Sequence, residues 1–116
     1  MEISRHKGTL SVTGIRELNS ANADFFRSAV ATALSHDLQA IEIDLSQTQS
    51  VDGAGLSALA SLYKTASEHR KREGFAIRLT NPTSPVQQMI ELARLHRLFD
   101  ITPLGGTREG AIPRTT

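Results

Sequence analysis

The chain has 116 residues and a formal net charge of +1, with 39% hydrophobic, 22% charged and only 4% aromatic residues. That length suits one domain with one core, built without Trp, mainly from Leu, Ile, Val and Ala. The balanced charge argues against a nucleic-acid binder, the absence of Cys excludes disulfides and thiolate metal sites, and no apolar run is long enough to span a membrane.

Met1 to Lys7 lacks the apolar stretch of a signal peptide, so a cytoplasmic protein is expected. Glu2 to Thr13 reads as two short strands joined at Lys7-Gly8; in the second, Leu10 and Val12 alternate with Thr9, Ser11 and Thr13. Gly14 to Asn19 reads as a loop. Asn19-Ser20-Ala21-Asn22 supplies N-cap residues for a helix whose stripe is Phe26, Ala29, Val30 and Ala33, widened by Phe25 and Leu34 and ended by His36-Asp37.

Ala40 to Leu45 is a strand with Ile41, Ile43 and Leu45 on one face and Glu42 and Asp44 on the other. Carboxylates on that second face keep it from deep burial unless they find partners. Ser46 to Val51 reads as a polar turn. Asp52 then opens a helix running to about Arg72, with Leu56, Leu59, Leu62, Tyr63 and Ala66 on its apolar face. Asp52 at the start and the basic run His69-Arg70-Lys71-Arg72 at the end both suit the helix dipole, and Gly74 suits a left-handed C-cap.

Phe75, Ile77 and Leu79 mark another strand, broken by Asn81-Pro82. Ser84 as N-cap, Pro85 at the first helical position and Gln87 as the far half of a capping box predict a third helix, with Val86, Met89, Ile90 and Ala93 inward. Leu95, Leu98, Phe99 and Ile101 form a terminal apolar cluster that suits a short turn and strand. From Gly105 onward a flexible tail is expected. Strands alternating with helices imply an α/β fold with parallel pairing and right-handed crossovers, and the opening strand pair adds a mixed edge.

Little in this chain could carry catalysis. His6, His36, His69 and His96 are scattered, and no two stand at i and i+4, so a helical metal pair is absent. No group of residues supplies nucleophile, base and orienting group together, so no catalytic residue and no enzyme activity are expected. Gly53-Ala54-Gly55 opens a helix after a strand, a position with free N–H groups that suits an anion. It lacks the third Gly of a dinucleotide fingerprint and the Lys of a phosphate loop. Asp52 would also repel a phosphate: two unit charges about 5 Å apart at an effective dielectric near 20 cost about 3 kcal/mol. The helix dipole returns only about 0.3–1 kcal/mol. No cofactor is expected. Capping alone accounts for Asp52, and a tight strand-to-helix turn for the two glycines.

Ile41-Glu42-Ile43-Asp44-Leu45-Ser46, then Val51-Asp52-Gly53-Ala54-Gly55-Leu56-Ser57-Ala58-Leu59, then Tyr63-Lys64, resemble the heart of the STAS family. Leu79-Thr80-Asn81-Pro82 and Leu95-His96-Arg97-Leu98-Phe99-Asp100-Ile101 extend the likeness, which is clear over residues 41–101 and looser before them. The resemblance implies a STAS-like mixed sheet of four to five strands with three main helices largely on one side. It implies one domain over residues 1–104 with a tail over 105–116.

STAS proteins of the anti-sigma-factor-antagonist type bind a kinase-like anti-sigma factor. That kinase phosphorylates a Ser in an Asp-Ser-Ser/Thr-Gly motif at the start of this helix, and phosphorylation breaks the complex. The matching residues here are Asp52, Gly53, Ala54 and Gly55, followed by Leu56. Gly53 stands at the phosphoacceptor position and Ala54 at the second hydroxyl, so the resemblance implies a protein-binding turn without the usual switch. Other STAS proteins are small cytoplasmic subunits of a phospholipid-transport ABC transporter, and Ala-Gly-Leu after an Asp-X pair resembles some of those. In that alternative the partner is the transporter ATPase.

Overall fold

A computed structural model describes residues 1–35, 37–69, 76–97 and 99–102. Strands β1 (Glu2–His6) and β2 (Thr9–Thr13) form an antiparallel hairpin. Its two-residue turn needs positive φ at both positions, and Lys7 (φ 51°) and Gly8 (φ 82°) supply it. Two further residues, Glu17–Leu18, make β3, and helix α1 spans Ala23–Ala33. Then follow β4 (Ala40–Asp44), β5 (Ser50–Val51), α2 (Gly53–His69), β6 (Ala76–Thr80) and α3 (Ser84–Leu92). A 3-10 turn at Leu95–Arg97 leads to β7 (Asp100–Thr102).

The main sheet has five strands in the order β1-β2-β4-β6-β7, all parallel beyond the first pair. The register aligns Leu10 with Ile41 and Ile77, and Val12 with Ile43 and Leu79. This apolar face joins Phe26 and Val30 of α1, Leu59, Leu62 and Ala66 of α2, and Val86 and Ile90 of α3 in one core, so the three helices cover one side of the sheet. The opposite face aligns Ser11, Glu42 and Arg78, and it stays half-exposed. There Arg78 pairs with Glu42 at 3.0 Å, which satisfies the carboxylate without full burial. At the far edge Tyr63 packs edge-to-face on Phe99, ring centroids 5.6 Å apart.

The expected mixed sheet with helices on one side is therefore present. Several local expectations are corrected. Gly14 to Asn19 and Ser46 to Val51 are more than loops, because each contributes a strand to a separate parallel ladder, Glu17 with Ser50 and Leu18 with Val51. Phe25 does not widen the α1 stripe: it points to solvent at 68% exposure. Ala93 is exposed at the C-cap of α3.

The helix starts differ as well. Neither Asn19 nor Asn22 caps α1 through its side chain. They fold the preceding turn instead: the Asn19 N–H donates to Asn22 Oδ1 at 2.9 Å, and Asn22 Nδ2 donates to the Glu17 carbonyl at 2.8 Å. The N-cap of α3 is Thr83, one residue before the expected Ser84. Without the capping box, the Gln87 amide donates to Glu91 at 2.8 Å. Arg70 to Arg72, Gly74, Phe75 and the tail from Gly105 lie outside the described residues, as do His36 and Leu98.

Candidate functional site at the head of α2

The predicted turn stands where β5 passes into α2. Asp52 and Gly53 are exposed, Ala54 and Leu56 are half-buried, and Gly55 is buried. Asp52 Oδ1 accepts the Gly55 N–H at 3.0 Å, and its carbonyl accepts the Leu56 N–H at 2.9 Å, so Asp52 is a true N-cap. The backbone N–H of Asp52 in turn donates to the Leu18 carbonyl at 3.1 Å. The cap is thus fastened to β3 as well as to its own helix.

The two glycines have separate reasons, and neither is the tight turn expected from the sequence. Among the described residues the glycines with positive φ are Gly8 and Gly14. Gly55 is small because β3 lies against it: a Cβ would sit 2.3 Å from the Leu18 carbonyl oxygen and 2.9 Å from Val51 Cγ1. Gly53 has no such neighbour, and a Cβ built there meets nothing within 4 Å. Position 53 is therefore open to solvent and sterically free.

The turn rests on residues that sequence reasoning missed. Thr48 is the buried polar side chain among the described residues. Its hydroxyl donates to the Ile15 carbonyl at 2.6 Å, and its own carbonyl accepts from Thr83 Oγ1 at 2.8 Å. Gln49 N–H donates to the Arg16 carbonyl at 2.8 Å. Nothing in the uniformly polar run Ser46-Gln47-Thr48-Gln49-Ser50 marks one member as buried, because its burial comes from two distant segments. Nearby, Asp44 accepts from Ser46 Oγ at 2.9 Å and Asn81 Nδ2 at 3.3 Å, which holds the ends of β4 and β6 together.

On the other side of the helix head, Ala54 lines a shallow groove between α1 and α2 with Asp24, Arg27, Ser57 and Ser61. Arg27 is ion-paired with Asp24 on the same helix. What this arrangement presents is an exposed, capped helix head beside an open groove.

This fold belongs to a known class of domain. The family described as "Mlab, STAS domain" matches residues 1–103, and the chain is a member of the STAS family. Among solved structures it is similar to an anti-sigma factor antagonist from Mycobacterium paratuberculosis, with TM-score 0.75 and 20% identity over 90% of this chain and 85% of that one. It is similar to a putative anti-sigma factor antagonist from Thermotoga maritima, with TM-score 0.72 and 22% identity over 86% and 83%. It also resembles the anti-sigma factor antagonist SpoIIAA in its unphosphorylated form, with TM-score 0.70 and 16% identity over 95% and 90%. At these identities the likeness is one of fold. No curated protein sequence matches the chain. Among the described residues no helix is long and apolar enough to cross a membrane.

Proposed function

We propose that the chain is a non-catalytic, cytoplasmic protein-binding module of the anti-sigma-factor-antagonist type, which takes part in transcription control by docking a kinase-like anti-sigma factor on Asp52, Gly53, Ala54, Gly55 and Leu56. The observation that carries this reading is the exposed head of α2, held by Asp52 and by β3, with Gly53 facing open space. A partner's face can press on such a turn without disturbing the fold beneath it. The solved structures of similar fold that bear the antagonist name support the same reading.

The test is calorimetric titration of the purified chain with a kinase-like anti-sigma factor from the same genome. Gly53→Arg places a long cation at the centre of the proposed contact while meeting nothing within 4 Å at its Cβ. A hot spot costs at least 2 kcal/mol when disrupted, so affinity should drop by about thirtyfold or more. Leu92→Ser, at an exposed position on α3, should leave it unchanged. Equal affinity for Gly53→Arg and wild type would move the contact surface elsewhere. Capture of the ATPase subunit of a lipid-transport complex in place of the anti-sigma factor would assign the chain to the transporter class.

A further inference from the structure

We infer that Thr48 is the positioning residue of the α2 head: it holds the Asp52 turn in its docking geometry and ties that turn to the start of α3. The inference rests on the docking role proposed above for the turn, and it concerns what keeps the turn in place.

The ladder beneath the turn is too short to hold itself. β3 and β5 pair over only two residues each, whereas isolated two-stranded pairings much longer than this are marginal in water. Core burial of Leu18 and Val51 anchors the apolar side of the pair, and hydrogen bonds from the flanking loops add to that. Thr48 stands where three segments meet. Its hydroxyl reaches the Ile15 carbonyl just before β3, while the next residue, Gln49, bonds the Arg16 carbonyl. Its carbonyl receives the hydroxyl of Thr83, the N-cap residue of α3. Four residues on, Asp52 closes the set by donating to Leu18.

The chemistry of the position supports a specific role for the hydroxyl. A fully buried site in an otherwise apolar core favours Val, which is nearly the same shape. Losing the hydroxyl would leave the Ile15 carbonyl without this donor, and a buried unpaired acceptor is costly. The turn would keep the two-residue ladder, the Asp52 and Gln49 amides and the core burial of Ile15, Leu18 and Val51, but it would lose the hydroxyl tie between the loops that carry it. The effect should be local, because Thr48 touches the loops that carry the turn and lies outside the β2-β4-β6 register.

Amide hydrogen exchange on the intact chain tests this without any partner. In Thr48→Val the Gln49 and Asp52 amides should exchange at least about tenfold faster, while those of Ile43 and Leu79 in the central strands keep their wild-type rates. Thr48→Ser, which keeps the hydroxyl, should restore protection at Gln49 and Asp52. Should Thr48→Val fold poorly, Thr83→Val removes the other half of the tie, and it should loosen the same two amides by a smaller factor. Unchanged protection at Gln49 and Asp52, or an increase spread evenly over the central strands, would overturn the inference.

The second readout is affinity for the anti-sigma factor titrated above. Thr48→Val should weaken it about tenfold and Thr48→Ser should recover it. A loosened turn that still binds at wild-type affinity would also overturn the positioning role. If that partner does not bind the wild-type chain, the docking proposal fails, and the exchange pattern alone decides the role of Thr48.

Discussion

At Gly53 and Gly55 two residues of one type, two positions apart on the same helix, answer to different forces. Gly55→Ala would drive a methyl into the Leu18 carbonyl, and backbone cannot swing aside as a side chain can. Strained insertions of this kind cost about 1–3 kcal/mol, and the β3–β5 ladder would shift to relieve the strain. Gly53→Ala meets nothing, and it removes the flexibility that Gly gives the unfolded chain. It should stabilise by about 0.4–1 kcal/mol. Urea titration of both variants gives opposite signs if the β3 contact is real; two changes of the same sign would show that β3 does not lie on α2 as described. Asp52→Ala should cost about 0.5–2 kcal/mol through the lost cap on Gly55, measured the same way.

At the scale of elements, α2 buries Ala58, Leu59, Leu62 and Ala66 in the core. Leu59 is completely buried in the core, so Leu59→Ala should cost about 2–5 kcal/mol in urea titration. A loss under about 0.5 kcal/mol would contradict that burial. The β1 edge carries an exposed charged cluster. Arg5 of β1 donates to both Ser35 and Asp37 in the connection after α1, and the Ser35 hydroxyl donates to Asp37. The Ser35 hydrogen bond first, and the Arg5 charge with it, hold the Asp37 carboxyl below its ordinary value near 3.8. A carboxylate whose folded pKa is depressed adds stability that is present above its unfolded pKa and is lost as pH falls through the folded one. Thermal melts taken downward from about pH 5 should therefore show a component that Asp37→Asn abolishes. Because the group is fully exposed, that component is small.

These elements also show what a sequence can reveal. Period-2 alternation at Leu10 and Val12, at Ile41 and Ile43, and at Ile77 and Leu79 set the sheet faces correctly, because half-burial imposes that alternation. A two-residue strand has no period to read, which is why β3 and β5 read as loops in the sequence. Phe25 does not widen the α1 stripe, because a step of 100° per residue carries it from Phe26 away from the core. At the site, Asp52 was legible as a cap from its place before an apolar run. The reason for Gly55 was not, since it lies in a carbonyl 37 residues earlier that only the folded chain brings near.

At the scale of the whole molecule the question is how docking is controlled. In the antagonist class as the sequence motif implies it, a phosphate of charge near −2 is added at the second residue of this turn. Beside Asp52 that phosphate would not unfold anything, since the position faces open space. It would instead meet the partner. Two unit charges about 5 Å apart at an effective dielectric near 20 repel by about 3 kcal/mol, about a hundredfold in affinity. In this chain the position carries no hydroxyl, and the neighbouring ones are misplaced. Ser50 belongs to β5 before the turn, and Ser57 stands one helical turn later beside Asp24 and Arg27 in the α1–α2 groove. Binding should therefore be constitutive, with control exerted on the partner or on expression. Incubated with the kinase-like anti-sigma factor and ATP, the wild-type chain should keep its intact mass and remain bound. Gly53→Ser, which the open space accommodates, should gain one phosphate and dissociate. One phosphate on the wild-type chain, with release of the partner, would refute constitutive binding and place the acceptor on a hydroxyl away from the helix head.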